Sequence, residues 1–236
     1  MLGVAGGTSA LGVWQLSRAH QKEALQALWH ERSAQAPLPA ADLARDAAGA
    51  AAQAQRRIVL TGRWRPEFTV LLDNRTMDGQ VGFDVVTPLQ VAPGDAVVVQ
   101  RGWVARDRVD PRRVPPFTTP SGDVIVPGRV APPPAHWVQL GPDAPGRIRQ
   151  NLDLAALQRE SGAVQRPLIV IQDDAPGAPA GASSPDGLAR HWPAPTVTVD
   201  RNYGYAAQWF AMAAAAVAVY LWLQFIRPRR RPPSAP

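Results

Sequence analysis

GFDVVTPLQVAPGDAVVVQRGWV, residues 82–104, decides the fold. Two runs rich in β-branched residues, 82–91 and 95–104, meet at a Pro93-Gly94-Asp95 turn signal. A connection this short leaves no room for a helical crossover, so the two strands must run antiparallel. Outward from this pair, similar runs recur, each bounded by Gly, Pro or Asp: IVLTG (58–62), FTVLLDN (68–74), DVIVPGRV (123–130), HWVQL (136–140), PLIVIQ (167–172) and PTVTV (195–199). LLDNR (71–75), followed by Gly79 and Gly82, reads as strand, turn and strand, with Asp73, Asn74 and Arg75 supplying turn hydrogen bonds. VQRGWV (99–104) reads as a strand with a glycine bulge. Pro makes up 25 of 236 residues, roughly twice the ordinary share of about 5%, which disfavours long helices through the middle. Helical patterns are confined to 18–34, where Leu25, Leu28 and Trp29 stand at i, i+3 and i+4, to the Ala-rich 40–55 with Asp42 as cap, and to 151–160 with Asn151 or Asp153 as cap. The expected class is α+β: a curled, antiparallel, barrel-like β-rich domain held by helices at the two ends of the chain.

Those ends carry the membrane signal. Residues 202–226, NYGYAAQWFAMAAAAVAVYLWLQFI, contain no charge and would extend about 37 Å as a helix, more than the roughly 30 Å hydrocarbon core of a bilayer. Aromatic residues gather towards both ends of the segment, and Arg227, Arg229, Arg230 and Arg231 follow it, the positive-inside signature of a cytoplasmic C-terminus. Residues 1–17 are apolar but rich in Gly and about 25 Å long as a helix, so a first transmembrane helix with its opening turns missing is expected there. The chain then divides into a first helix (1–17), an extracytoplasmic domain (18–201), a second helix (202–226) and a basic tail (227–236).

Charge and composition exclude several function classes. The net +6 suggests an anionic partner until its distribution is counted: four of the 25 bases lie in the tail, leaving 21 bases against 19 acids in residues 18–201. A nearly neutral domain without a basic stripe or a recognition motif does not point to nucleic acid. The absence of Cys removes thiolate metal sites, covalent haem attachment and a cysteine nucleophile, and with only three Met it leaves copper without soft ligands. No G-x-S-x-G, P-loop, H-E-x-x-H or G-x-G-x-x-G motif occurs, so no enzyme activity is expected. His20, His30, His136 and His191 are scattered.

Several short pieces, taken in order, carry more information than any of them alone: GVWQLSR-xxx-K-xx-L (12–25), GRWRPE (62–67), VLLDNR (70–75), GFDVVTPL (82–89), VVVQRGWV (97–104), GRV (128–130), NLDL (151–154) and GYAAQWF (204–210). Together they resemble the SURF1/Shy1 family over almost the whole chain. The resemblance implies an assembly factor for a haem–copper terminal oxidase, cytochrome c oxidase, in a bacterial inner membrane, with its main domain periplasmic. It further implies that the chain holds or presents haem a, bound non-covalently, and that its partners are the catalytic subunit of the oxidase and the haem a synthesis machinery. A scaffold that contacts oxidase subunits without touching haem is the alternative. Where the family has a His three residues before the Tyr of its Y-A-x-Q-W-F motif, this chain has Asn202, and an amide oxygen is a much poorer iron ligand than imidazole. Asn202, Tyr205 and Trp209 recur at i, i+3 and i+7 and form the expected haem-facing side of the second helix, with packing against the first helix as the other reading of the same face. His20 and His191 are candidate substitute ligands.

Overall fold

The computed structural model describes residues 2–110, 113–134, 146–174, 184–192 and 199–226. The hairpin read from residues 82–104 is formed by β3 (Gln80–Ala92) and β4 (Asp95–Ala105), antiparallel, with Phe83 opposite Val104 and Leu89 opposite Val97. The other strands are β1 (Arg57–Trp64), β2 (Val70–Met77), β5 (Asp123–Ala131), β6 (Ile148–Arg149) and β7 (Val164–Gln172). The helices are α1 (Leu2–Ala34), α2 (Ala47–Gln53), α3 (Leu154–Ser161) and α4 (Asp200–Leu221), the last running on into a π-helical turn, Trp222–Ile226. The class is α+β, as expected. The expected strands 136–140 and 195–199 lie, apart from Val199, outside the described residues, as does the 227–236 tail with Arg227, Arg229, Arg230 and Arg231.

The seven strands of the described residues join one sheet in the order β1-β5-β7-β4-β3-β2-β6. A further short ladder pairs β1 with β3 through Arg63–Gln90 and Trp64–Leu89, so the sheet curls back towards itself. The all-antiparallel expectation is corrected: β4 with β7 and β2 with β6 run parallel, making the sheet mixed. Between β4 and β7 lie β5, β6 and α3, a connection long enough to return the chain in the same direction. α3 ends at Gly162, which takes the left-handed conformation (φ 68°), and the Val164 N–H then donates to the Gly94 carbonyl at 2.9 Å, setting β7 beside the start of β4.

The core explains why β4 reads as an unbroken apolar run. Val97, Val98 and Val99 are all fully buried, because both faces of this central strand are covered. Val97 and Val99 pack with Leu60, Leu89, Leu168 and Val170 under Leu43 and Ala50, whereas Val98 joins Leu72, Val86, Ile169 and Leu157 of α3. Where strands crowd one another, glycine is required for space: a Cβ on Gly62 would lie 2.3 Å from the Gln90 carbonyl oxygen, and one on Gly128 would lie 2.4 Å from that of Ile171.

Two local expectations change, and the choice left open at a third is decided. Residues 40–55 are not one helix capped by Asp42. Ala40–Asp42 is a single 3-10 turn, and α2 starts only after Asp46, whose carboxylate accepts from the Gly49 N–H at 2.8 Å. For 151–160 the cap is Asp153, which accepts from the Ala155 and Ala156 N–H groups. The turn between β2 and β3 is Asp78-Gly79, both at positive φ (51° and 75°), the combination a two-residue hairpin loop demands. Asp73-Asn74-Arg75 is instead a bulge within β2, with Asn74 at φ 60° and the register shifting between Leu72 and Arg75.

The chain divides into two compact units, residues 1–28 with 195–236, and residues 29–194. Among the described residues, Asp200–Phe225 is the one helix long and apolar enough to cross a bilayer, and only 11% of its most apolar window is buried, which is unlike the core helix of a soluble protein.

Candidate functional site

In the helical unit, small residues recur every second turn. Ala5, Gly12 and Ala19 are the buried positions of the α1 segment, and Ala206 and Ala213 those of α4. Small side chains let two helix backbones approach closely, which is how helices associate where no hydrophobic driving force is available. The approach is tight at Gly12, where a Cβ would stand 2.8 Å from the Phe210 ring. Polar contacts continue the same seam: the Asn202 side-chain N–H donates to Gln15 Oε1 at 2.7 Å, Lys22 Nζ donates to Asn202 Oδ1 at 2.9 Å, and the Tyr203 hydroxyl donates to Glu23 Oε1 at 2.8 Å. Since Gly12 meets Phe210 while residues 22–23 meet 202–203, the two helices run antiparallel.

The three residues expected on one haem-facing side are therefore used differently. Asn202 is half-buried and turned towards α1. Trp209 is half-buried, and Tyr205 is 52% exposed. The Asn202 oxygen already accepts from a cation, Lys22, which makes it a still weaker candidate for an iron. His20 is exposed in a shallow groove of about 560 Å³ between Val13, Leu16, Ser17, Gln21 and Ala24, a stripe along α1 itself. His191 belongs to the strand unit, where its Nδ1 lies 2.8 Å from Asp78 Oδ2. No group of three or more side chains able to hold a metal ion occurs among the described residues.

The motif residues of the strand unit form a second cluster. Arg101 on β4, 1% exposed, lies 4.7 Å from the Trp64 ring and 5.9 Å from that of Phe117. Its Nη1 donates to Thr119 Oγ1 at 2.7 Å and its Nη2 to the Thr118 carbonyl at 2.9 Å, and Asp186 stands 3.4 Å away. Asp186 also pairs with Arg190, which donates to the Arg101 carbonyl at 2.6 Å. Burial lowers the Arg101 pKa, Asp186 opposes that shift, and Arg190 adds to it. Nearby, Arg106 pairs with Asp73, and Trp103 Nε1 donates to the Arg75 carbonyl at 3.1 Å. Sequence reasoning singled out 73–75 and 101–103 as pieces but missed the partners of Arg101, Asp186 and Arg190, which lie 85 and 89 positions further along the chain. It missed Gln15 and Lys22 as well, although two polar residues seven apart on one helix were a usable signal.

The helix seam can be tested directly because the chain has no Cys. Cysteines placed at Gln15 and Asn202 should be joined by a short thiol crosslinker in the otherwise unchanged chain. Adding Gly12→Leu should abolish the crosslink by forcing Phe210 away, and Phe210→Ala should restore it. Crosslinking unaffected by Gly12→Leu would show that the seam does not depend on this close approach.

Comparison with known proteins adds the family. The SURF1 family model matches residues 2–214, covering most of both helices and the whole sheet. A Drosophila melanogaster protein called SURF1-like is 27% identical over 93% of this chain and 74% of its own length. The yeast protein named cytochrome oxidase assembly protein SHY1 is 24% identical over 64% of this chain, but the match spans only 40% of the yeast protein. A SURF1-like protein of Dictyostelium discoideum is 40% identical over a 50-residue stretch, 21% of this chain and 18% of its own length. With a match that runs from α1 through every described strand and into α4, the chain belongs to the SURF1 family.

Proposed function

We propose that this chain is a membrane-anchored, non-catalytic assembly factor for cytochrome oxidase that holds or presents haem a while the catalytic subunit matures. The observation that carries the assembly role is the family match over residues 2–214, which takes in the apolar α4 as well as the sheet, together with the name of the yeast relative. In this reading α1 and α4 both cross a bacterial inner membrane, the strand unit is periplasmic, and the arginines from Arg227 to Arg231 keep the C-terminus cytoplasmic. Loss of the chain should lower the amount of spectrally detectable, assembled oxidase in the membrane while the catalytic polypeptide is still made. Unchanged oxidase content would refute the assembly role.

The haem a part rests on the resemblance and on Tyr205 and Trp209, whose aromatic surface suits a flat apolar cofactor. Asn202 does not fit as its axial ligand, because its amide is engaged by Gln15 and Lys22. An imidazole from His20, from His191 or from a partner protein is needed instead. In this reading Asn202→His raises the haem a retained by chain purified from cells that make haem a by about tenfold or more, one order of magnitude being about 1.4 kcal/mol of added affinity. Trp209→Ala lowers it. Haem content at background in the unaltered chain, or unmoved by either change, leaves the second reading: a scaffold for oxidase subunits that does not touch haem. The engagement of Asn202 in the helix seam favours that second reading.

A further inference from the structure

A cavity of about 520 Å³, within the ordinary range of small-molecule sites, opens in the strand unit. Sheet register builds part of its lining: Gln100 of β4 stands opposite Ile171 of β7, which stands opposite Arg129 of β5, so the three side chains form one row on one face. Arg75 and Asp84 join the lining from β2 and β3, with Nε and Oδ2 3.8 Å apart. Trp192 comes from the segment after β7, held by its Nε1 donating to the Gln172 carbonyl at 2.7 Å. Three of the ordered pieces of sequence, those containing Arg75, Asp84 and Gln100, thus converge on one wall.

The charges select the ligand. Arg75 and Arg129 face Asp84 within the lining, and Arg129 is also paired with Asp173 at 2.6 Å just beyond it, so the group is neutral with Asp84 ionised and carries one net positive charge with Asp84 protonated. That balance suits one negative charge rather than two. Ile171 and the Trp192 ring offer an apolar surface beside it. We propose that this cavity binds a small monocarboxylate with a flat apolar body, its carboxylate held by Arg75 and Arg129 beside Asp84, and its body against Trp192 and Ile171. The proposal does not depend on the assembly role.

Asp84 adds a signature. Burial raises its carboxyl to about 6, against the opposing effects of Arg75 and the Gln100 amide. The other ionisable groups at the cavity are Arg129, paired with Asp173, and His191, which adjoins the lining residue Trp192 in sequence and lies 2.8 Å from Asp78. An anion that accepts a hydrogen bond from protonated Asp84 takes up a proton on binding, so its affinity should fall by up to about tenfold per pH unit above 6.

The test is calorimetric titration of the full chain in lipid nanodiscs with 2-naphthoate, subtracting empty nanodiscs. Saturable one-to-one binding is expected, tightening by about tenfold or more between pH 8 and pH 6. Trp192→Leu should weaken it about tenfold, and 2-naphthalenemethanol and inorganic phosphate should each bind at least about tenfold more weakly than naphthoate. Asp84→Asn should bind more tightly than the unaltered chain at pH 8 and lose the pH dependence, a gain that misfolding cannot imitate. Absence of saturable binding, equal binding of the alcohol or of phosphate, or an unchanged pH profile in Asp84→Asn would each overturn the proposal.

Discussion

Arg101→Ala should lower the apparent unfolding midpoint of the detergent-solubilised chain by roughly 6 to 20 °C. Arg101 is fully buried between two aromatic rings and donates to Thr119 and to the Thr118 carbonyl beside Asp186. Truncation strands those acceptors, opens a cavity against Trp64, and takes from Asp186 one of its two guanidinium neighbours, leaving Arg190 and the Leu188 N–H. Removing one member of a buried charge network costs about 3–5 kcal/mol. For a chain of this size each kcal/mol corresponds to about 2–4 °C. Arg101→Lys should recover only part of the loss, because an ammonium cannot reproduce the planar fork or stack on Trp64. Tryptophan fluorescence during heating reads the shift, and a fall of less than about 2 °C would mean that the network carries little stability.

Gly82→Ala should be almost as damaging, and for a different reason. The added Cβ would sit 2.2 Å from the Val104 carbonyl oxygen and 2.5 Å from the Trp103 ring. Neither neighbour can yield cheaply: the first is backbone in the β3–β4 ladder, and the second is anchored by its hydrogen bond to the Arg75 carbonyl. A cost of about 3 kcal/mol is expected, at the upper end for overpacking. Gly79→Ala is the control. Gly79 has φ 75° but nothing within 4 Å of a Cβ, so only backbone strain is added, about 1 kcal/mol. Equal losses at the two positions in denaturant titrations would show that conformation rather than space constrains Gly82.

Much of the fold was legible because its strands are amphipathic or doubly buried. Residues 82–104 fold into the expected hairpin, the runs at 58, 123 and 167 fall within strands, and the run at 68 enters its strand only at Val70, Phe68 closing a 3-10 turn. Two-residue β6 was invisible, since among the described residues Ile148 and Arg149 pair with Leu71 and Leu72 alone and a run that short has no period. Strand direction was misjudged where pairing is non-local, because a long connection leaves both directions open. The bulge at Asn74 was mistaken for the turn because Asp, Asn and Gly signal either, and only pairing separates them. Of the candidate site, the helix positions 202, 205 and 209 could be read from spacing, but not which of them faces a neighbouring helix.

Sequence alone determined the β-rich class, the apolar C-terminal helix, the near-neutral middle and the family resemblance. All of these are properties of composition, period or local order along the chain. Tertiary structure decided what depends on residues distant in sequence. It turned Asn202 towards Gln15 and Lys22 of α1, buried Arg101 against Asp186, and set Arg75, Asp84, Gln100 and Arg129 around one cavity. The physical reason is that a side chain's partner, and hence its charge state and availability to a ligand, is fixed by strand register and helix approach, which no single segment encodes.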